Sequence, residues 1–271
     1  MNPPVALTVA GTDSGGAAGI AADLATFAAL GAHGACVVTA VTAQDTTGVH
    51  DVHPVPLPTI AAQLDAVLDD LPVAVVKTGM LGSAAAAELV AGRAGHLRLV
   101  VDPVLVATSG AVLGDAEVAC AYREVLLPRA AVATPNADEA RVLTGEDAPP
   151  EVLAERLAAL GCAVVVTGGP DGAVDTATCV DWVAQPGRPA VPLRHAALDT
   201  RNDHGTGCTY SAALATHLAH GRDLLTAATR AAAFTTRQLR LASTWTLGHG
   251  RGPVAHLAST GSTIGFEGDT A

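Results

Sequence analysis

The sequence predicts an α/β fold with a mainly parallel central sheet and helices on both faces. Three observations predict it. Short apolar runs alternate with longer helix-like segments along the chain, the pattern of strands joined by helical crossovers. The runs are apolar along most of their length, as strands covered on both faces are. Polar or glycine-bearing turns follow them, and such sheets bind ligands beyond the carboxyl ends of their strands.

Each element follows from its own residues. Residues 5–10 are an apolar run stopped by Gly11, read as a buried strand. A glycine-rich loop over 11–19 opens a helix over 20–30, stopped by Gly31. Residues 35–43 read as a second strand. A helix over 57–71 has Pro58 near its start, where a missing N–H is tolerated. Strands follow at 73–77, 97–101, 131–134 and 163–167, and helices at 84–94, 116–127, 137–143 and 151–160. Residues 174–184 read as a hairpin region with weaker alternation. The last two helices are expected near 206–220 and 223–242.

Composition narrows the function. The 271 residues are 49% hydrophobic, enough for one domain, expected over 1–257, with a loosely packed tail over 258–271. Aromatics make up only 3%, so the core must be Ala, Val and Leu. A net charge of −11 without a basic stripe argues against nucleic acid or an anionic membrane as partner. Lys77 is the single lysine, against fourteen arginines. The five cysteines, an odd number with no Cys-x-x-Cys, argue against a disulfide framework or structural zinc. The start of the chain has no basic region, and the run 5–10 is too short for a signal peptide or membrane span. The expected location is the cytoplasm.

The stretch His204-Gly205-Thr206-Gly207-Cys208-Thr209 carries the strongest chemical signal. A tight loop opening a helix aims free N–H groups and the positive helix end at one point, where phosphate binds readily. A thiol in that field is expected to have a lowered pKa and to serve as base or nucleophile. The same residues also suit an ordinary helix start with a structural cysteine. Asn136-Ala137-Asp138-Glu139 is either an acidic helix start or a carboxylate and amide near hydrated Mg²⁺, with Asp102 as a second acid. Gln44 can bond a turn or read a heterocycle edge through its paired donor and acceptor. Met80 can be packing or a pocket wall. Gly15-Gly16-Ala17-Ala18-Gly19 lacks the Gly-x-Gly-x-x-Gly of a dinucleotide fold, and no Walker A pattern occurs.

Taken in order, the strand-end loops resemble the hydroxymethylpyrimidine and phosphomethylpyrimidine kinases, in the ribokinase-like superfamily. The matching stretches include Ala10-Gly11-Thr12-Asp13, Gly19-Ile20-Ala21-Ala22-Asp23-Leu24, Val41-Thr42-Ala43-Gln44-Asp45-Thr46, Lys77-Thr78-Gly79-Met80-Leu81 and Val101-Asp102-Pro103-Val104. Thr134-Pro135-Asn136, the 204–209 stretch and Gly250-Arg251-Gly252-Pro253-Val254 complete the set, which spans 5–257.

The resemblance implies a three-layer ribokinase-like fold and ATP-dependent phosphorylation of 4-amino-5-hydroxymethyl-2-methylpyrimidine and of its monophosphate, in thiamine synthesis. It implies that Gly11, Asp23, Gln44, Met80 and Val104 line the pyrimidine site. Asn136, Thr167 and Lys77 would serve ATP, and Glu139 and Asp102 would serve Mg²⁺. Gly205, Thr206 and Gly207 would form the anion hole. Cys208 would hold the base position, where many relatives carry Asp. The chain departs from the pattern at Ala17, where relatives usually have Gly, and at Ala25, Thr108 and Thr167, where they usually have Lys. Pro170 stands for a usual His. These changes remove positive charge from the ATP side. A pyridoxal or pyridoxine kinase, and a catalytically weak pyrimidine-binding regulatory protein, are the alternative readings; a homodimer is expected.

Overall fold

The computed structural model describes residues 2–106, 110, 113–168, 170–171 and 175–256. Thr108 and the expected tail over 258–271 lie outside these residues. The main sheet has nine strands among the described residues. Across it run β2 (His33–Val38), β1 (Val5–Ala10), β5 (Val73–Thr78), β6 (Leu99–Val101), β7 (Val132–Ala133), β8 (Ala163–Val166), β10 (Asp175–Ala184) and β11 (Val191–Ala196), with β9 (Pro170–Asp171) beside β10. The pairings from β2 to β8 are parallel, and those of β10 are antiparallel. A separate antiparallel hairpin joins β3 (Ala40–Asp45) to β4 (Gly48–Pro54).

The apolar runs are two-faced. Leu7, Val9, Val76, Leu99, Val101, Val164 and Val166 pack into one core, while Ala6, Val75, Val100 and Val165 pack into another. Successive strand residues point to opposite faces, so both faces need apolar residues. The first core is covered by α2 (Leu57–Asp70), α3 (Ala84–Ala94), α4 (Ala116–Ala121), α5 (Ala137–Thr144) and α6 (Pro150–Ala158). The second is covered by α1 (Gly19–Ala29), α7 (Thr206–Ala219) and α8 (Leu224–Ala242). Alanines on α7 and α8 let these helices lie close to each other and to the sheet, which explains a core with few aromatics. No described helix is long and apolar enough to cross a membrane.

Three local readings change. The run 35–43 is two strands, because the chain leaves the main sheet at Thr39. Thr39 N–H donates to Ala10 O, Val55 N–H donates to Thr39 O, and its hydroxyl donates to Met80 O. The helix over 116–127 is α-helical only to Ala121, then widens into a π turn at Tyr122–Leu126 and tightens at Leu127–Arg129. The expected hairpin over 174–184 is, over its described residues, one strand, β10, whose antiparallel partners are β8, β9 and β11.

Candidate active site

The carboxyl ends of β1, β5, β6, β7 and β8 share one edge, as parallel pairing requires. A cavity of about 590 Å³ lies there. Its walls bring together Gly11, Gln44, Met80, Val104, Asp102, Asn136, Glu139, Thr167, Gly205, Gly207 and Cys208. A second cavity, of about 370 Å³, shares Asn136, Thr167 and Gly207 with the first. Thr206 lines only the second, where Ala196, Leu198, Ala232 and Leu239 form an apolar slot. Tyr210 and Thr235 also line that slot, and their hydroxyls are buried without a hydrogen-bond partner among the described residues. Buried polar atoms of this kind fit a ligand with a polar rim.

Two expected contact residues are elsewhere. Asp23 and Lys77 line neither cavity and are fully buried. Lys77 Nζ lies 3.0 Å from both Asp23 oxygens and 3.6 Å from Asp102 Oδ2. Thr8 donates its hydroxyl to Asp23 at 2.6 Å, and Ser211 donates to Asp102 at 2.8 Å. In this structure Lys77 therefore lies beneath the site, outside both cavities, with Asp23 as its counter-ion. Burial opposes the Lys77 charge, but Asp23, with Asp102, outweighs it and holds the ammonium above the ordinary lysine range.

The mouth of α7 depends on Gly205. Its φ of +89° caps the helix, and a Cβ there would fall 1.8 Å from Ala17 O. The loop that presses against it is held by Asp13, whose carboxylate accepts N–H bonds from Gly15, Ala17 and Ala18. Of the expected anion-hole residues Gly205, Thr206 and Gly207, Thr206 donates its N–H to Asp203 O at 3.2 Å. The N–H groups of Gly207 and of the next residue, Cys208, stand at the helix mouth, where an α-helix leaves its first N–H groups without intrahelical partners.

The Cys208 thiol departs from expectation. Burial pushes it up to about 12, and the nearby Asp102 and Asp23 carboxylates add to the rise against Lys77. Desolvation outweighs the opposing pull of Lys77 and of the Gly19 N–H, and so favours the neutral thiol. Glu139 closes a capping box with Asn136 and is only 7% exposed. Burial, and then the Asp102 carboxylate, push its carboxyl up to about 8 from 4.5. Two neighbouring carboxyl groups that both line a cavity suit a hard cation. Mg²⁺ uses one or two carboxylates with water and phosphate, so Asp102 and Glu139 fit it. Among the described residues no group of three such side chains gathers.

That raised carboxyl has a consequence for stability. A folded-state value of about 8 against 4.5 means that the stabilising effect of the protonated form is complete below about 4.5 and lost as pH rises through about 8. Glu139→Gln is expected to raise the Tm of the ligand-free protein by a few degrees at about pH 9 and far less at about pH 5. Thermal unfolding at both values checks this; equal gains at both would show that charge is not the cause.

Several site residues carried no separate role in the sequence reading. Asp13 stood only as a loop residue and His204 as one that orients or caps its own loop, and their contact spans 191 positions. Arg251 lines the larger cavity, with Nε 2.8 Å from Asp203 Oδ1 and Nη2 on Asp203 Oδ2. Its signal was a lone arginine between two glycines. Asp181 and His195 line the smaller cavity; Asp181 accepts from Gly168 N–H at 2.9 Å and lies 3.2 Å from His195 Nε2. Nothing local in β10 and β11 marks them.

Known proteins resemble this arrangement closely. The family described as phosphomethylpyrimidine kinase matches residues 13–255. A hydroxymethylpyrimidine/phosphomethylpyrimidine kinase of Synechococcus elongatus is 43% identical, over 95% of this chain and 98% of that protein. A thiamine biosynthesis bifunctional protein of Geobacter sulfurreducens is 45% identical, over 93% of this chain and 52% of that one. The solved ADP complex of Bacillus subtilis pyridoxal kinase superposes with a TM-score of 0.85 at 37% identity, covering 95% of this chain and 98% of that one.

Proposed function

The chain belongs to the phosphomethylpyrimidine kinase family, and from that membership we propose how its two joined cavities divide the work. The larger takes the hydroxymethylpyrimidine and the smaller takes the adenosine of ATP. The phosphoryl group crosses between them at the mouth of α7. The protein is a hydroxymethylpyrimidine/phosphomethylpyrimidine kinase, an ATP-using enzyme of thiamine biosynthesis with a ribokinase-like fold. The observation that carries the division is the position of Gly207, which lines both cavities at a helix N-terminus.

Phosphoryl transfer needs alignment and neutralised equatorial oxygens more than covalent help. The N–H groups of Gly207 and Cys208, with the helix dipole, supply fixed positive ends at the crossing point. Arg251 is the only arginine or lysine among the described residues lining either cavity. It takes over charge that the absent lysines would carry. Glu139 and Asp102 would hold Mg²⁺, which when bound neutralises phosphate oxygens and offsets the carboxylate charge that helps hold the Cys208 thiol up. In that loaded site Cys208 first gives its thiol proton to solvent, and the thiolate then accepts the hydroxyl proton late in the transfer. A monophosphate acceptor is already ionised and needs no such base. The reading includes a homodimer in the cytoplasm, with exposed Val41 and Val52 on the β3–β4 hairpin as apolar surface for a contact.

The test is ATP turnover with the pyrimidine alcohol, its monophosphate and pyridoxal, for the wild type and Cys208→Ala. Turnover of both pyrimidines is expected. Cys208→Ala is expected to lower alcohol phosphorylation about 100-fold and monophosphate phosphorylation by less than about 10-fold. Equal, small losses on both would remove Cys208 from the proton path. Faster turnover of pyridoxal would reassign the acceptor. Saturable pyrimidine binding without turnover would make the chain a binding protein.

A further inference from the structure

Asp13, His204 and Gln44 meet at one nitrogen. His204 Nε2 lies 3.1 Å from Asp13 Oδ2 and 3.0 Å from the terminal amide of Gln44. All three residues line the larger cavity, and Asp13 and His204 are each 6% exposed. Asp13 has no proton to offer. Burial works against its charge, but the bond to His204 and the N–H groups of Gly15 and Ala18 outweigh it and hold the carboxyl below its usual range.

An ionised carboxylate at hydrogen-bond distance demands a proton on His204 Nε2. Both the Nε2–H tautomer and the imidazolium meet that demand; the Nδ1–H tautomer does not. A protonated Nε2 cannot accept from the Gln44 NH₂ group. Its one hydrogen can be shared between Asp13 Oδ2 and a Gln44 carbonyl, and a half-turn of the amide, whose nitrogen faces the ring in this structure, exchanges the nearly isosteric ends. We propose that Asp13, acting through His204, locks the Gln44 amide with its carbonyl toward His204 and its NH₂ toward the cavity. Asp13 and His204 are then positioning residues for ring recognition.

The locked amide has a defined binding edge. Its NH₂ donates to a ring nitrogen, and the second carbonyl lone pair accepts from an amino group on the adjacent carbon. An aminopyrimidine carries that acceptor–donor pair. Pyridoxal carries a hydroxyl and an aldehyde on its ring and no exocyclic amine. Resting on the pyrimidine assignment of this cavity, the lock becomes a specificity device: a freely turning amide would serve either ring edge.

Two readouts separate the lock from the substrate assignment. The first is nitrogen-15 NMR of labelled histidine in the ligand-free full chain, with the His204 signals assigned by their loss in His204→Ala. Wild-type His204 is expected to carry its proton on Nε2, and Asp13→Asn to shift it toward Nδ1–H. The second is the ratio of kcat/KM for the aminopyrimidine to that for pyridoxal. Both Asp13→Asn and His204→Ala are expected to lower it about 10-fold, the size of one lost hydrogen bond, mainly through the pyrimidine KM. His204→Ala leaves the Asp13 contacts to its own loop intact, so loop damage in Asp13→Asn does not decide the outcome. An unprotonated Nε2 in the wild type, or an unchanged ratio in both variants, overturns the lock. A wild type that turns over no pyrimidine defeats the kinase assignment, while the nitrogen spectrum still decides the lock.

Discussion

Lys77→Met is expected to lose about 3–5 kcal/mol of stability, the usual result of removing one partner from a buried ion pair. Asp23 is fully buried and Asp102 nearly so. Without the ammonium, Asp23 beneath the site and Asp102 in the cavity wall lose their shared counter-ion and keep hydroxyl donors from Thr8 and Ser211. Urea denaturation measures the loss. The double variant Lys77→Met with Asp23→Leu is expected to recover a large part of it, because it removes the stranded charge and refills the space with apolar volume. A lysine that contacted ATP would behave differently. Its methionine variant would raise the ATP KM and leave the urea midpoint near the wild-type value, and that pattern would return Lys77 to the ATP site.

The second large effect lies at the α7 mouth, where two glycines serve for different reasons. Gly205→Ala forces a methyl against Ala17 O at a φ of +89°, which side chains rarely adopt. It is expected to lower Tm and to reduce turnover of both pyrimidine acceptors by at least about 100-fold, since the anion-facing N–H groups move with the loop. At Gly207 a Cβ meets nothing within 4 Å. Gly207→Ala therefore folds as well as the wild type, with a small gain of up to about 1 kcal/mol from helix propensity. It still loses turnover about 100-fold, because its methyl enters the passage between the cavities. Thermal unfolding and steady-state kinetics on both variants check the pair. A fully active Gly207→Ala would move the transfer path away from α7.

Much of this was legible locally. The strands of the sheet show as apolar runs because both of their faces are covered, a demand that falls on every residue of a buried strand. The helix at 137–144 shows its capping box in Asn136 and Glu139, three positions apart. Gly205 and Gly207 show as a loop because turn geometry is a property of adjacent residues. The β3–β4 hairpin was not legible: its departure from the sheet is held by Thr39 bonds to Ala10, Val55 and Met80, all remote in sequence. Nor was β11 legible, since an edge strand alternates weakly and has only one neighbour to satisfy.

The sequence by itself determined the fold class, the order of the strand-end loops and the family to which they belong. It also determined that the glycines at 205 and 207 open a helix, because backbone conformation and helix ends are short-range matters. Only the tertiary structure decided what the charged groups do. Lys77 meets Asp23 across 54 positions, and Ser211 meets Asp102 across 109. These contacts turn the chain's single lysine into a floor residue. Burial beside the same carboxylates reverses the expected shift of the Cys208 thiol. Charge and desolvation act through space over a few ångströms, so their balance exists only once distant segments are packed together.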